Sequence, residues 1–130
     1  PVFYKNESET KTTMPTFNEP VNLEDLGYKY NKDKNSYTKI DNDGGKIEYM
    51  PSVKTMDYHY KDENIHLHIE INMSNEKIYS VLLNENNEQI KRKNYDVKKN
   101  KMILKENQKN DNIEKIQYLL DIYNNITKSL

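Results

Sequence analysis

His66 and His68 stand two residues apart, with Glu70 two further on, in a segment where Ile65, Leu67, Ile69, Ile71 and Met73 alternate strictly with Asn64, His66, His68, Glu70 and Asn72. A period of two is the period of a strand, so both imidazoles and the carboxylate share its polar face. Neutral imidazole and carboxylate are usual zinc ligands, and His59, on the strand expected to pair with this one, adds a third nitrogen donor. His59, His66, His68 and Glu70 are the metal candidates of the chain. The competing reading is plainer: one face of an antiparallel sheet is commonly solvated and polar. The sequence favours that plainer reading, so no metal and no cofactor is expected.

The second concentration of chemistry is electrostatic. Residues 91–109 carry Lys91, Arg92, Lys93, Lys98, Lys99, Lys101, Lys105 and Lys109 against Asp96 and Glu106, a net +6 in a chain whose total is −1. Such asymmetry steers an acidic protein partner or an anionic surface. Nucleic-acid readers add arginines and stacking aromatics; this stretch has one Arg and Tyr95, so no nucleic acid is expected. Lys91, Arg92, Lys93, Lys98, Lys99, Lys101 and Lys105 are the candidate partner-binding residues. The alternative is that lysines keep an edge hairpin soluble.

Catalytic signatures are missing from the sequence. It holds no Cys, which excludes a thiol nucleophile, a disulfide framework and a cysteine zinc cluster. Three Gly cannot build a phosphate-cradling loop, and there is no Gly-x-Ser-x-Gly elbow, HExxH or Walker pattern. Asp41-Asn-Asp-Gly-Gly45 opens like a calcium loop, but the sixth position is Lys46 and the twelfth Ser52, so the bending Gly and the bidentate Glu are absent and the segment reads as a hairpin turn. The chain is not expected to be an enzyme.

The elements that must hold these residues follow from length and pattern. One domain fits in 130 residues. Leu, Ile, Val and Phe total only 28, close to the range of disordered chains, yet the charge is nearly balanced, which favours a folded domain with a thin core supplemented by 11 Tyr. No run of 18 apolar residues exists to span a membrane. Residues 1–20 are Thr-, Glu- and Pro-rich without period and are expected to form an extended tail or tether, with residues 21–130 as a single domain. Asn22-Leu-Glu-Asp-Leu26 suits one helical turn closed by Gly27. Tyr28–Tyr30, Ser36–Ile40, Lys46–Met50, Val53–Tyr60, Ile65–Met73, Lys77–Leu83, Gln89–Tyr95 and Met102–Leu104 read as strands separated by turns. A helix is expected over about 111–129, with Asp111 and Glu114 as a capping box and Ile113, Ile116, Leu119, Leu120, Tyr123, Ile126 and Leu130 as one apolar stripe. The expected fold is α+β: an antiparallel, hairpin-linked sheet, open or curved towards a barrel, covered by a C-terminal helix.

Composition also bears on origin. Nineteen Asn, nineteen Lys, one Arg and no Ala mark an A/T-rich genome, a bias shared by low-GC Gram-positive bacteria and some protozoa. Exported proteins there often lack Cys, so export is compatible with this chain. Residues 1–20 hold no hydrophobic signal segment, so any export signal was removed from ahead of them or never existed.

In the order of its pieces the chain resembles the staphylococcal tandem-type lipoproteins. The pieces are Asn22-Leu-Glu-Asp-Leu26, Ile65-His-Leu-His68, Tyr95-Asp-Val-Lys98, Asn100-Lys-Met-Ile103 and Asn112-Ile-Glu-Lys115. They correspond to the first half of the family's longer members, which begin at a lipidated Cys that has no counterpart here. The resemblance implies a surface protein held on the outer face of the cell membrane by a removed N-terminal lipid anchor, or secreted, and linked to host-cell interaction and virulence. It implies no catalytic residues. The expected function is therefore a non-catalytic, exported cell-surface binding module whose partner is an unidentified protein, of the host or with an acidic surface. The alternative is a small intracellular inhibitor or immunity-type protein that binds a toxin or enzyme, cytoplasmic if no signal peptide precedes it.

Overall fold

A computed structural model describes residues 22–127. The expected tail, residues 1–20, and Leu130 of the helical stripe lie outside the described residues. Eight strands follow one another along the chain: β1 (Lys29–Asn31), β2 (Ser36–Ile40), β3 (Lys46–Met50), β4 (Thr55–Lys61), β5 (His66–Asn72), β6 (Lys77–Leu83), β7 (Gln89–Lys98) and β8 (Lys101–Ile103). Each pairs antiparallel with the next, so the sheet order is the sequence order. Among the described residues β1 and β8 do not meet; the sheet is open and the barrel alternative falls away. One helix, α1 (Glu114–Thr127), completes an α+β fold.

Local chemistry places the connections. Asn22 caps a 3-10 turn, Leu23–Leu26, by accepting from the Glu24 amide at 3.0 Å, and Gly27 ends it at φ 94°. Asp62 accepts from the amides of Asn64 and Ile65 at 2.8 and 2.9 Å, which turns β4 into β5. Between β7 and β8 the turn is only Lys99-Asn100, both at positive φ (54° and 64°), a primed two-residue hairpin. That tight turn lengthens β7 to Lys98 and moves β8 to Lys101–Ile103, against the expected Tyr95 end and Met102–Leu104 strand. The expected strand beginning at Val53 also shifts: Pro51 fixes φ and starts a 3-10 turn, Pro51–Val53, so β4 begins at Thr55.

The alternation of β5 holds in the structure. Ile69 and Ile71 are 2% and 0% exposed and Leu67 is half-buried, whereas Ile65 lies in the turn and is 39% exposed. Across the sheet, Ile47, Tyr58 and Ile69 form one row on that face, and Tyr49, Met56, Ile71, Ile78 and Tyr95 form the next. The helix lies on these rows, burying Ile116, Leu119, Leu120, Ile122, Tyr123 and Ile126. Ile122 widens the expected stripe, and Tyr123 meets Tyr49 edge to face at 5.9 Å between centroids.

The helix start departs from expectation. Helical structure begins at Glu114, and Asp111 is no cap: its two oxygens accept from Lys93 Nζ at 2.6 Å and Tyr95 OH at 3.1 Å. A contact with β7 has taken the carboxylate that the local pattern assigned to the first-turn amides.

Leu120 is 0% exposed, so Leu120→Ala should lower stability by about 2–5 kcal/mol, read as a reduced urea midpoint. Ile90, 58% exposed, serves as control, with Ile90→Ala expected within about 0.5 kcal/mol. Equal costs at the two positions would refute the packing described.

Candidate functional site

The face of the sheet opposite the helix carries the histidines. Register places His59 directly opposite His68, and Lys61 opposite His66. His59 and His68 stack, centroids 4.1 Å apart and planes within 14°, while His59 Nδ1 lies 3.1 Å from His66 Nε2. The three imidazoles that the sequence singled out are therefore brought together.

The carboxylate beside them is a different one. Glu70 accepts from Asn72 Nδ2 at 3.3 Å. Asp57, two residues before His59 and directly opposite Glu70, is the acid whose ligand atom lies within 4.8 Å of one nitrogen each of His59 and His68. Sequence reading missed Asp57 because a carboxylate's meaning here depends on register. Closing the hairpin on a four-residue turn, with Lys61 opposite His66, would have brought it diagonal to His68.

None of these side chains is fully solvated. Asp57, His59, His66, His68 and Glu70 are all half-buried, which amends the expectation of a solvated face. Strands about 4.8 Å apart let neighbouring side chains shield one another from water. Burial lifts the Asp57 carboxyl to about 6, aided by the flanking charges of Glu70 and Glu48. Burial also pulls His59 and His68 below the ordinary imidazole range, with the neighbouring histidines adding to the effect. Asp57 Oδ1 and His68 Nε2 are shielded from solvent and have no hydrogen-bond partner.

The basic residues do not form one patch. Alternation along β7 sends Lys91 and Lys93 to the helix side, where Lys93 pairs with Asp111 at 2.6 Å, and Arg92 to the other, where its guanidinium lies 4.8 Å over the Tyr79 ring. Lys98, Lys99 and Lys101 do gather, at the tip of the β7–β8 hairpin, all exposed and with Lys98 directly opposite Lys101. Lys105 is exposed beyond β8, and Asp96 on β7 is paired with Lys77. Helix α1 grips the tip: Asn124 Nδ2 donates to the carbonyl of Asn100 at 2.9 Å.

A third polar centre joins the helix to the β2–β3 turn. Lys115 Nζ reaches Asp41 Oδ2 at 2.5 Å and Asp43 Oδ2 at 3.0 Å, and sits 4.4 Å and 4.7 Å over the rings of Tyr58 and Tyr118. Tyr118 OH donates to Asp41 at 2.8 Å, and Tyr58 OH donates to Asp43. Gly45 is required in this turn, since a Cβ there would lie 2.4 Å from the Tyr58 ring. Beside it runs an open depression of about 410 Å³ lined by Asp41, Asn42, Asp43, Asn112, Glu114, Lys115 and Tyr118. Its central charges satisfy one another, which makes this centre a clamp. Comparison with protein-family models, with curated proteins and with solved structures finds no match.

Burial pushes the carboxyl of Asp41 up, but hydrogen bonds from Lys115 and Tyr118 outweigh it and hold the group below its ordinary value; Asp43 is held low in the same way by Tyr58, the Gly45 amide and Lys115. A carboxylate with a depressed folded-state pKa contributes stability above its unfolded value near 4 and loses it as pH falls through the depressed one. Lys115→Met, which keeps much of the stem and strands a buried carboxylate, should cost about 2–4 kcal/mol at pH 7. The cost should shrink as the pH is lowered from 7 to about 2, as both acids take up protons. Urea unfolding at the two pH values reads this; an equal cost at both would discard the charge-based account.

Proposed function

We propose that the chain is a non-catalytic, exported cell-surface module that binds an acidic protein through the tip of the β7–β8 hairpin. The carrying observation is the arrangement of Lys98, Lys99 and Lys101. Like charges directly opposite across a hairpin are destabilising, yet Lys98 faces Lys101 with Lys99 in the turn between them. Elsewhere Lys77, Lys93 and Lys115 are each paired with an aspartate, whereas among the described residues no carboxylate lies within ion-pair distance of these three. The bond from Asn124 fixes the backbone that presents them, so little order has to be imposed on binding. Display at the cell surface rests on the resemblance of Asn22–Leu26, Tyr95–Lys98 and Asn112–Lys115 to the staphylococcal lipoproteins.

Two measurements test the two parts of this reading. Fractionation of cells expressing the native gene should place the chain in the membrane fraction or the medium; recovery in the cytoplasm alone overturns the exported role. The triple variant Lys98→Glu, Lys99→Glu, Lys101→Glu should bind cultured mammalian epithelial cells about tenfold more weakly than the parent at low salt, and prior protease stripping of those cells should abolish parental binding. Equal binding by parent and variant removes the tip from the interface.

A further inference from the structure

We propose that Asp57, His59 and His68 form a binding site for a divalent transition-metal ion, with zinc as the ion of choice. The site lies on the open face of β4 and β5 and is separate from the hairpin tip. Two imidazoles and a carboxylate are a donor set of catalytic-type zinc sites, which keep a fourth position for water.

Three features converge on a cation at this place. Asp57 Oδ1 and His68 Nε2 are shielded from water and without partners. Buried polar atoms in folded proteins are nearly always partnered, and both of these are lone-pair donors suited to a metal. In addition, Asp57 stands directly between two other acids in register, Glu48 on β3 and Glu70 on β5. Three carboxylates side by side repel, and a dication at the central one relieves the row. Finally, the 3.1 Å contact between His59 Nδ1 and His66 Nε2 supplies outer-shell support. With Nδ1–H donating to His66, the lone pair of His59 is left on Nε2 for the ion and the ring is held in orientation.

The required adjustment is small. Ligand atoms around tetrahedral zinc lie about 3.3 Å apart, and here they fall within 4.8 Å of one another. Side-chain rotation that turns the three ligand atoms towards one another closes that gap, while both histidines stay on central strands paired on each side.

The test uses the full chain, stripped with chelator and dialysed, then titrated with zinc chloride. Calorimetry should give one ion per chain with a Kd of about 10 μM or tighter. Imidazole C–H resonances of His59 and His68 in the unsubstituted protein should shift with the same stoichiometry. His59→Gln and His68→Gln should each weaken binding by about tenfold or more, whereas Glu70→Gln should change it by less than about twofold. No heat and no shift at roughly 100 μM zinc, shifts confined to His66, or undiminished affinity in both glutamine variants would each overturn the proposal. The resonance titration needs no substitution, so a variant that fails to fold does not blunt the test.

Discussion

Lys115 Nζ links parts of the chain separated by 74 positions: the first turn of the only α-helix among the described residues and the carboxylates of the β2–β3 turn. Apolar burial brings a helix to a sheet but is nearly indifferent to how the helix slides or rotates there. An ammonium seated between two carboxylates and two tyrosine rings is not indifferent, because a displaced helix would leave Asp41 buried without its cation. Buried ion pairs contribute modestly to net stability when compared with apolar replacements, while breaking one is costly. The clamp therefore acts mainly on geometry. With the helix start fixed, Tyr123 falls on Tyr49 and Asn124 reaches the Asn100 carbonyl at the far hairpin.

The same economy of apolar residues shapes the whole core. Tyr28, Tyr49, Tyr58, Tyr95 and Tyr123 are all 5% exposed or less, so tyrosine supplies area that Leu and Ile do not. Rings of this size need an outlet for the hydroxyl. Tyr58 and Tyr95 find theirs in Asp43 and Asp111 at the rim, as the more exposed Tyr118 does in Asp41. Burial and these carboxylates push the phenol of Tyr95 up to about 12 and those of Tyr58 and Tyr118 up as well, keeping them protonated donors at any physiological pH. One helix covers one face. The other face is left to side chains that shield one another, and His59, His68 and Asp57 come to lie there half-buried with polar atoms unmatched.

Legibility from sequence followed the range of the forces involved. The period-two run ending at Met73 and the stripe from Ile116 to Ile126 were readable because one buried face imposes a period on the residues themselves. Asn22 with Gly27, and Asp41 through Gly45, were readable because cap and turn chemistry acts within a few residues. The Lys99-Asn100 turn escaped notice because it lacks the glycine that usually marks positive φ. Asp111 matched a capping pattern and was diverted to Lys93 and Tyr95, which no neighbouring residue announces. The basic stretch looked continuous along the chain, yet strand alternation split Lys91 and Lys93 from Arg92 and left only Lys98, Lys99 and Lys101 together.

The amino-acid sequence alone determined the element types, the meander of hairpins and the two-faced character of both β5 and the helix, since each depends on local dihedral preference and on apolar spacing. Tertiary structure alone decided that Asp57 rather than Glu70 stands with His59 and His68, that Lys115 closes on Asp41 and Asp43, and that the sheet stays open. These outcomes depend on cross-strand register and on where the helix comes to rest, and both are fixed by distances through space between residues that the order of the chain keeps apart.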